Sequence, residues 1–158
     1  MSRLPNLGPR GEGWFAAQLV LFAVIAYGAA AGDAWSGWPR GLTIAAGVAL
    51  VAAGGLLAVR GVVDLRENLT PFPAPLPNGH LVSSGSYGLV RHPIYSGLIT
   101  GALGWGLATA SPLSLAGAAL LAVFFDLKSR REEVWLSERY PDYALYRKQT
   151  RKLIPWVY

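Results

Sequence analysis

Two short clusters in this sequence hold residue types capable of chemistry. Arg91-His92-Pro93-Ile94-Tyr95 stands at the start of one apolar run, and Arg130-Arg131-Glu132-Glu133 follows another. Pro93 occupies the position where a helix would begin, since proline's missing N–H costs nothing there. Arg91 and His92 would then lie beside the free N–H groups of that helix. A helix N-terminus flanked by Arg and His makes a site for a carboxylate or phosphate. The same residues also suit a plainer role, with Arg91 snorkelling to lipid headgroups and His92 capping the helix. Glu132 and Glu133, one or two turns past the second apolar run, could accept from ribose hydroxyls or an ammonium group. Alternatively they belong to a solvated charged turn. Only convergence of the two clusters would favour a site.

Between the clusters and the preceding apolar segment runs a polar loop from Asp64 to Arg91. Its stretch Thr70-Pro71-Phe72-Pro73-Ala74-Pro75-Leu76-Pro77 is too proline-rich for a helix and stiff enough to hold an extended path. Gly79-His80-Leu81-Val82-Ser83-Ser84-Gly85-Ser86-Tyr87 follows.

The elements that must position these residues are membrane helices. The chain has 158 residues, room for one domain, and is 53% hydrophobic but only 15% charged. Soluble domains carry about 25% charged residues. A spanning helix needs about 20 mostly apolar residues. Trp14 to Ala31, Gly41 to Val59, Ile94 to Ala110 and Leu113 to Leu127 are four such candidates, the third slightly short and the fourth shortest. Ser111-Pro112 is a turn and helix-start signal, so the last pair reads as a tight hairpin. The fourth helix is expected to continue through the charged stretch after Asp126. Small residues four apart, Gly28 to Gly32 and Gly97 to Gly101, fit close packing within one bundle. The expected fold is therefore an all-α integral membrane bundle. Its central loop and C-terminal tail, segments 79–95 and 130–158, cover one end.

Eight of the fourteen Lys and Arg fall between Lys128 and Lys152. With four spans, thirteen of the fourteen share one side and Arg40 alone lies opposite, which places both termini, the central loop and the tail in the cytoplasm. A cell (inner) membrane location follows, with the first segment an anchor. Ala29-Ala30-Ala31 also offers a signal-peptide cleavage site. The basic cluster is explained by anionic membrane lipids and topology rather than by nucleic acid.

The chain has no cysteine, which excludes disulfides, thiolate metal sites and thiol nucleophiles. It has no GxGxxG after a strand and no P-loop. Two histidines without suitably spaced carboxylates give no metal site. The serines near His80 form no nucleophile elbow.

The series His80-Leu81-Val82-Ser83-Ser84-Gly85-Ser86-Tyr87, Arg91-His92-Pro93-Ile94-Tyr95, Glu132-Glu133, Tyr143-Ala144-Leu145-Tyr146 and Leu153-Ile154-Pro155 resembles the isoprenylcysteine carboxyl methyltransferase family. The wider group of that family includes the phospholipid N-methyltransferases. The resemblance covers about residues 60–158. It implies S-adenosylmethionine, held in a cytoplasmic pocket roofed by the central loop and tail, and a lipophilic acceptor arriving sideways from the bilayer. By matching position, Leu81, Val82 and Tyr87 would line the cofactor site, and Arg91, His92, Pro93 and Tyr95 would meet it at the helix start. Glu132 or Glu133 would complete it, and Arg131 or Arg130 would lie near the acceptor. His80 falls one place from the family's histidine, the stretch from Leu136 to Tyr143 is one residue shorter, and the spans are fewer than in eukaryotic members. These departures bear on the acceptor more than on the cofactor.

Methyl transfer from a sulfonium needs mainly in-line positioning and exclusion of water. Tyr87 or Tyr95 could stabilise the sulfonium through a ring face, by about 0.5 to 2 kcal/mol. A carboxylate acceptor needs no general base, and the scarcity of bases leans the reading towards oxygen. Three other readings stay open: a phospholipid N-methyltransferase acting on an amine headgroup, an NADPH-dependent reductase of the sterol reductase type, whose C-terminal region is distantly similar, and a non-catalytic lipid-binding scaffold.

Overall fold

The computed structural model describes residues 4–31, 34–35 and 39–158. Six α-helices account for most of these residues: α1 (Glu12–Ala31), α2 (Arg40–Leu65), α3 (Ser86–Leu89), α4 (Pro93–Thr109), α5 (Pro112–Arg139) and α6 (Tyr143–Gln149). Among the described residues the only β pairing is an isolated parallel bridge between Val90 and Arg151.

Among the described residues three helices, α1, α2 and α5, are long and apolar enough to cross a membrane. The third expected span is α4, which at 17 residues falls short of the usual ~20. Leu42, Val59, Tyr27 and Val123 expose most of their side chains on the outer faces of the long helices. So broad an apolar exterior is foreign to a soluble monomer. It is what lipid would cover.

Two boundaries differ from expectation. Arg60 does not end α2, which runs on to Leu65. Arginine is a good helix former, and its stem can lie along apolar surface while the head reaches water. The helix stops instead at Arg66, whose φ of 50° breaks the repeat. By contrast α5 does continue past Asp126 as one unbroken helix of 28 residues, about 42 Å at 1.5 Å per residue. Ser111 caps it, its hydroxyl accepting from Ser114 N at 3.1 Å, with Pro112 in the first turn.

A seam of glycines joins α2 to α4, antiparallel. A methyl group added at Gly47 would come within 2.6 Å of the Gly104 carbonyl oxygen, and one at Gly54 within 2.5 Å of the Gly97 carbonyl oxygen. At Gly61 it would meet the Ile94 side chain at 2.7 Å. The α2 glycines are spaced by seven, two helical turns on one face. Within the four-residue spacing Gly97 to Gly101, a Cβ at Gly97 would clash with α2, whereas Gly101 offers only its backbone to Gly54 and a Cβ there has open space. Gly28 packs on the backbone of Ser114 in α5, while Gly32 lies outside the described residues. Both contacts are within one bundle.

Across the bundle α1 packs antiparallel on α5. Ser111 and Ser114 hydroxyls donate to the carbonyls of Gly28 and Ile25 at 2.7 and 2.8 Å. Ile25, Leu121 and Phe125 form the apolar core, with Leu21, Phe22, Tyr95 and Leu98 against them. Helix α4 packs on both α2 and α5, but α1 and α2 do not pack on each other. At the polar end, Phe15 and Gln18 of α1 and Val62 and Leu65 of α2 line a common open slot.

The seam sets a clear expectation. Gly54→Ala should lower stability in detergent by about 1–3 kcal/mol through overpacking. Gly55→Ala, where a methyl meets nothing within 4 Å, should be neutral or slightly stabilising. Thermal unfolding of the two variants checks both.

Candidate active site

At the polar end of the bundle the two clusters do converge, though not as a free anion site. Arg91 and His92 turn inward onto Glu133. Arg91 Nε donates to Glu133 Oε1 at 2.8 Å, and His92 Nε2 lies 3.2 Å from the same oxygen. Arg147 Nε stands 3.7 Å from Oε2. The remaining guanidinium donors of Arg91 go to the carbonyls of Arg147 and Thr150. His92 and Glu133 are both buried.

The backbone N–H groups just before α4 are taken as well. Arg91 N and His92 N donate to the carbonyls of Arg151 and Lys152 at 2.8 and 3.2 Å. The Ser96 hydroxyl donates to the Leu153 carbonyl at 2.7 Å. The tail thus lies as an extended segment across the helix start. The external anion site expected at Arg91 and His92 is filled by the protein's own carboxylate and tail. Its physical reason is burial: groups with so many donors must be satisfied once water is excluded.

Glu132 faces elsewhere. Its Oε2 accepts from the Tyr95 hydroxyl at 2.7 Å and lies 3.8 Å from His92 Nδ1. Tyr95 stacks between two rings, His92 at 5.4 Å and Phe125 at 4.5 Å. Neighbouring positions on a helix point about 100° apart, so one glutamate enters the core and the other reaches open space.

That space consists of two cavities sharing Leu65, Thr70, Tyr87 and Glu132. The first, about 90 Å³, lies under the proline-rich loop and is walled by Leu81, Val82, Arg91, Tyr140, Tyr143 and Tyr146 among others. The second, about 260 Å³, lies between the helices and is lined by Phe15 and Gln18 of α1, Val62 of α2, His92, Tyr95 and Leu98 near α4, and Lys128 of α5. The slot between α1 and α2 borders it.

The loop over the first cavity is fixed at several points. Pro73 is fully buried, Arg139 donates to the Pro77 carbonyl, and Asn68 Oδ1 accepts from His80 N at 2.9 Å. Tyr87 is set by α3, whose first turn is held by Asp64 Oδ2 accepting from Ser86 N and Oγ at 2.7 and 2.6 Å. Gly85 precedes it with φ of 61°, where a Cβ would clash with the Asp64 carboxylate. The Tyr146 hydroxyl donates to the Tyr87 carbonyl at 2.7 Å. Burial pushes the phenols of Tyr87, Tyr143 and Tyr146 up, so all three stay protonated donors.

The remaining sequence candidates lie apart from the cavity walls or behind them. Pro93 is buried against Gly61 and serves the helix start. Arg130 pairs with Asp126 at 2.7 Å on a largely exposed side chain. Arg131 lies over the Trp135 ring at 4.2 Å; neither arginine lines either cavity. His80 stands at the rim of the first. Sequence reasoning missed Lys128 and Gln18, which meet at 2.7 Å across 110 positions. A lone glutamine inside an apolar helix was the available signal, since polar residues at membrane depth tend to be functional.

These observations describe a helical membrane protein with a buried polar cluster and paired cavities at one end. Comparison with known proteins then gives its class. The phospholipid methyltransferase family pattern matches residues 42–143, from α2 into the start of α6. The chain belongs to the phospholipid methyltransferase family and is an integral membrane protein. It is also similar to the cobalt-zinc-cadmium resistance protein CzcN of Cupriavidus metallidurans, 39% identical over 82 residues. That match covers 49% of this chain and 37% of the relative, so the chain spans little more than a third of that protein's length.

The two glutamates should separate in stability measurements. Glu133→Ala leaves Arg91 and His92 buried without their carboxylate and should cost about 3–5 kcal/mol. Glu132→Gln keeps an acceptor for Tyr95 and should change stability by less than about 1 kcal/mol. Denaturant or thermal unfolding in detergent measures both.

Proposed function

We propose that the protein transfers a methyl group from S-adenosylmethionine to a lipophilic acceptor at the membrane surface. The observation that carries this reading is the pair of adjoining cavities meeting at Tyr87 and Glu132. The one under the loop has the more polar walls of the two, and the one between the helices is mainly apolar.

The residues of the first cavity fit the cofactor's chemistry. Glu132 offers a carboxylate to ribose hydroxyls or the amino group, Leu81 and Val82 an apolar wall, and Tyr87, Tyr140 and Tyr146 ring faces. Tyr143 lines the same cavity, and its hydroxyl is buried with no hydrogen-bond partner among the described residues. A buried donor left so is costly, and a polar ligand would satisfy it. When bound, S-adenosylmethionine supplies a methyl group already activated on a sulfonium.

The protein's own task is then placement and dryness. Tyr87, at the junction, can set a ring face towards positive charge. Tyr95, wedged between His92 and Phe125, holds Glu132 in place. The proline-rich loop covers the site and excludes water, which strengthens every electrostatic contact inside. His92 acts behind Glu132 and Glu133, as a positioning residue. An isoprenylcysteine-type carboxylate suits this site because its methylation moves no proton. An amine headgroup, as in phospholipid N-methylation, would have to lose one. The slot between α1 and α2 gives such an acceptor a path from the bilayer.

Cofactor titration by calorimetry tests the reading. S-adenosylmethionine and S-adenosylhomocysteine should bind saturably, with Glu132→Ala weakening both at least tenfold and Arg131→Ala leaving them unchanged. No binding by the folded protein overturns the proposal, and NADPH binding in their place would establish the reductase reading.

The proposed topology has four spans, α4 included, with both termini, the loop and the tail cytoplasmic in the cell membrane. The absence of cysteine makes this simple to check. In intact cells a membrane-impermeant maleimide should label Arg40→Cys, whereas Lys148→Cys should react only after lysis; the reverse pattern would invert the orientation.

A further inference from the structure

The second cavity contains a cation that the family reading does not use. Lys128 is 1% exposed, yet among the described residues no carboxylate lies within 4.0 Å of its Nζ. Its recorded hydrogen-bond acceptors are neutral: Gln18 Oε1 at 2.7 Å and the Pro71 carbonyl at 3.3 Å. The ring faces of Tyr95 and Phe125 stand 5.3 and 5.9 Å from it. An ammonium has three donors, so one remains beyond these two oxygens. Two neutral acceptors and two rings orient the charge without cancelling it.

A buried charge is costly unless paired. Here it lines a cavity of about 260 Å³ whose other walls include Phe15, Val62, Ile94 and Leu98. The Glu132 carboxylate lines the same cavity but already accepts from the Tyr95 hydroxyl, so a mainly apolar chamber with a cation free to donate suits an amphiphile with an anionic head. Lys128 and Glu132 are one helical turn apart on α5, about 6 Å along the axis. Glu132 borders both cavities. A head held by Lys128 would therefore lie next to the junction, with its tail among the apolar walls.

We infer that Lys128 recognises the anionic group of the acceptor and selects a lipophilic carboxylate over an amine headgroup. This assignment rests on the methyltransferase reading above. The chemistry closes without a base. A carboxylate oxygen attacks the methyl carbon, a C–O bond forms, and the C–S bond breaks with its electron pair passing to sulfur. One negative and one positive group become a neutral ester and a neutral thioether, and no proton moves. An ammonium headgroup would instead meet a like charge at Lys128.

Equilibrium binding to the detergent-purified protein with S-adenosylhomocysteine present tests the assignment independently of turnover. The probes are N-acetyl-S-farnesylcysteine, its uncharged carboxamide, and farnesylamine. The wild type should bind the acid at least tenfold more tightly than the amide and farnesylamine weakest. Lys128→Gln keeps a donor for the neighbouring oxygens but removes the charge. It should erase the acid-over-amide preference while leaving amide and S-adenosylhomocysteine affinities within about twofold. A preference that survives Lys128→Gln, or parallel losses for acid and amide, overturns the assignment. So does a wild type that binds the amine best, a result that stands even where the variant does not fold. Failure of the wild type to bind S-adenosylhomocysteine overturns the methyltransferase reading itself, whereas cofactor binding without acid preference overturns only the role of Lys128.

Discussion

The polar end of this protein depends on one buried carboxylate. Glu133 gathers Arg91 and His92 from the head of α4, and through Arg91 it reaches the carbonyls of Arg147 and Thr150 in the tail. Three separate segments are thereby tied at one point. Removing a partner from such a cluster leaves an uncompensated charge in low dielectric, which is why the group acts as a unit. A second clasp stands beside it. Asp126 accepts from Lys152 Nζ at 2.6 Å and from the Tyr158 hydroxyl at 2.8 Å, and pairs with Arg130.

Because Glu133 is committed to holding the architecture, Glu132 is left to face the cavities. The division follows from helix geometry, since successive residues on α5 point in different directions. His92 serves both carboxylates, lying 3.2 Å from one and 3.8 Å from the other, and so couples the clamp to the cavity wall. Stacking of Tyr95 on His92 and Phe125 then fixes the hydroxyl that holds Glu132. Packing in the core and orientation at the site are the same set of contacts.

The glycine seam decides how the helices frame the cavities. With backbones of α2 and α4 in direct contact, the end of α2 stands beside the head of α4, and Asp64 can hold the start of α3 and set Tyr87. Helix α1 is attached instead through α5, by hydroxyls of Ser111 and Ser114 and by the Lys128–Gln18 hydrogen bond. The bundle consequently has a tight side and a parted side. The parted side borders the larger cavity.

Several features were legible in the residues alone. The apolar runs and the lopsided charge mark the membrane helices, because lipid burial demands long uncharged segments. Ser111-Pro112 marks the hairpin, because capping and a fixed φ are local properties. The ordered series from Leu81 to Tyr95 and the paired glutamates marked the region where the chain would converge. What only the tertiary structure decided concerns direction and partnership. It turned Arg91 and His92 inward, gave Glu132 and Glu133 different surroundings, and brought Lys128 to Gln18. It also replaced the four-residue glycine spacing by a seven-residue seam. Local sequence fixes where a helix starts and how apolar it is. Which way each side chain points, and what meets it there, depends on helices distant in the chain coming into register.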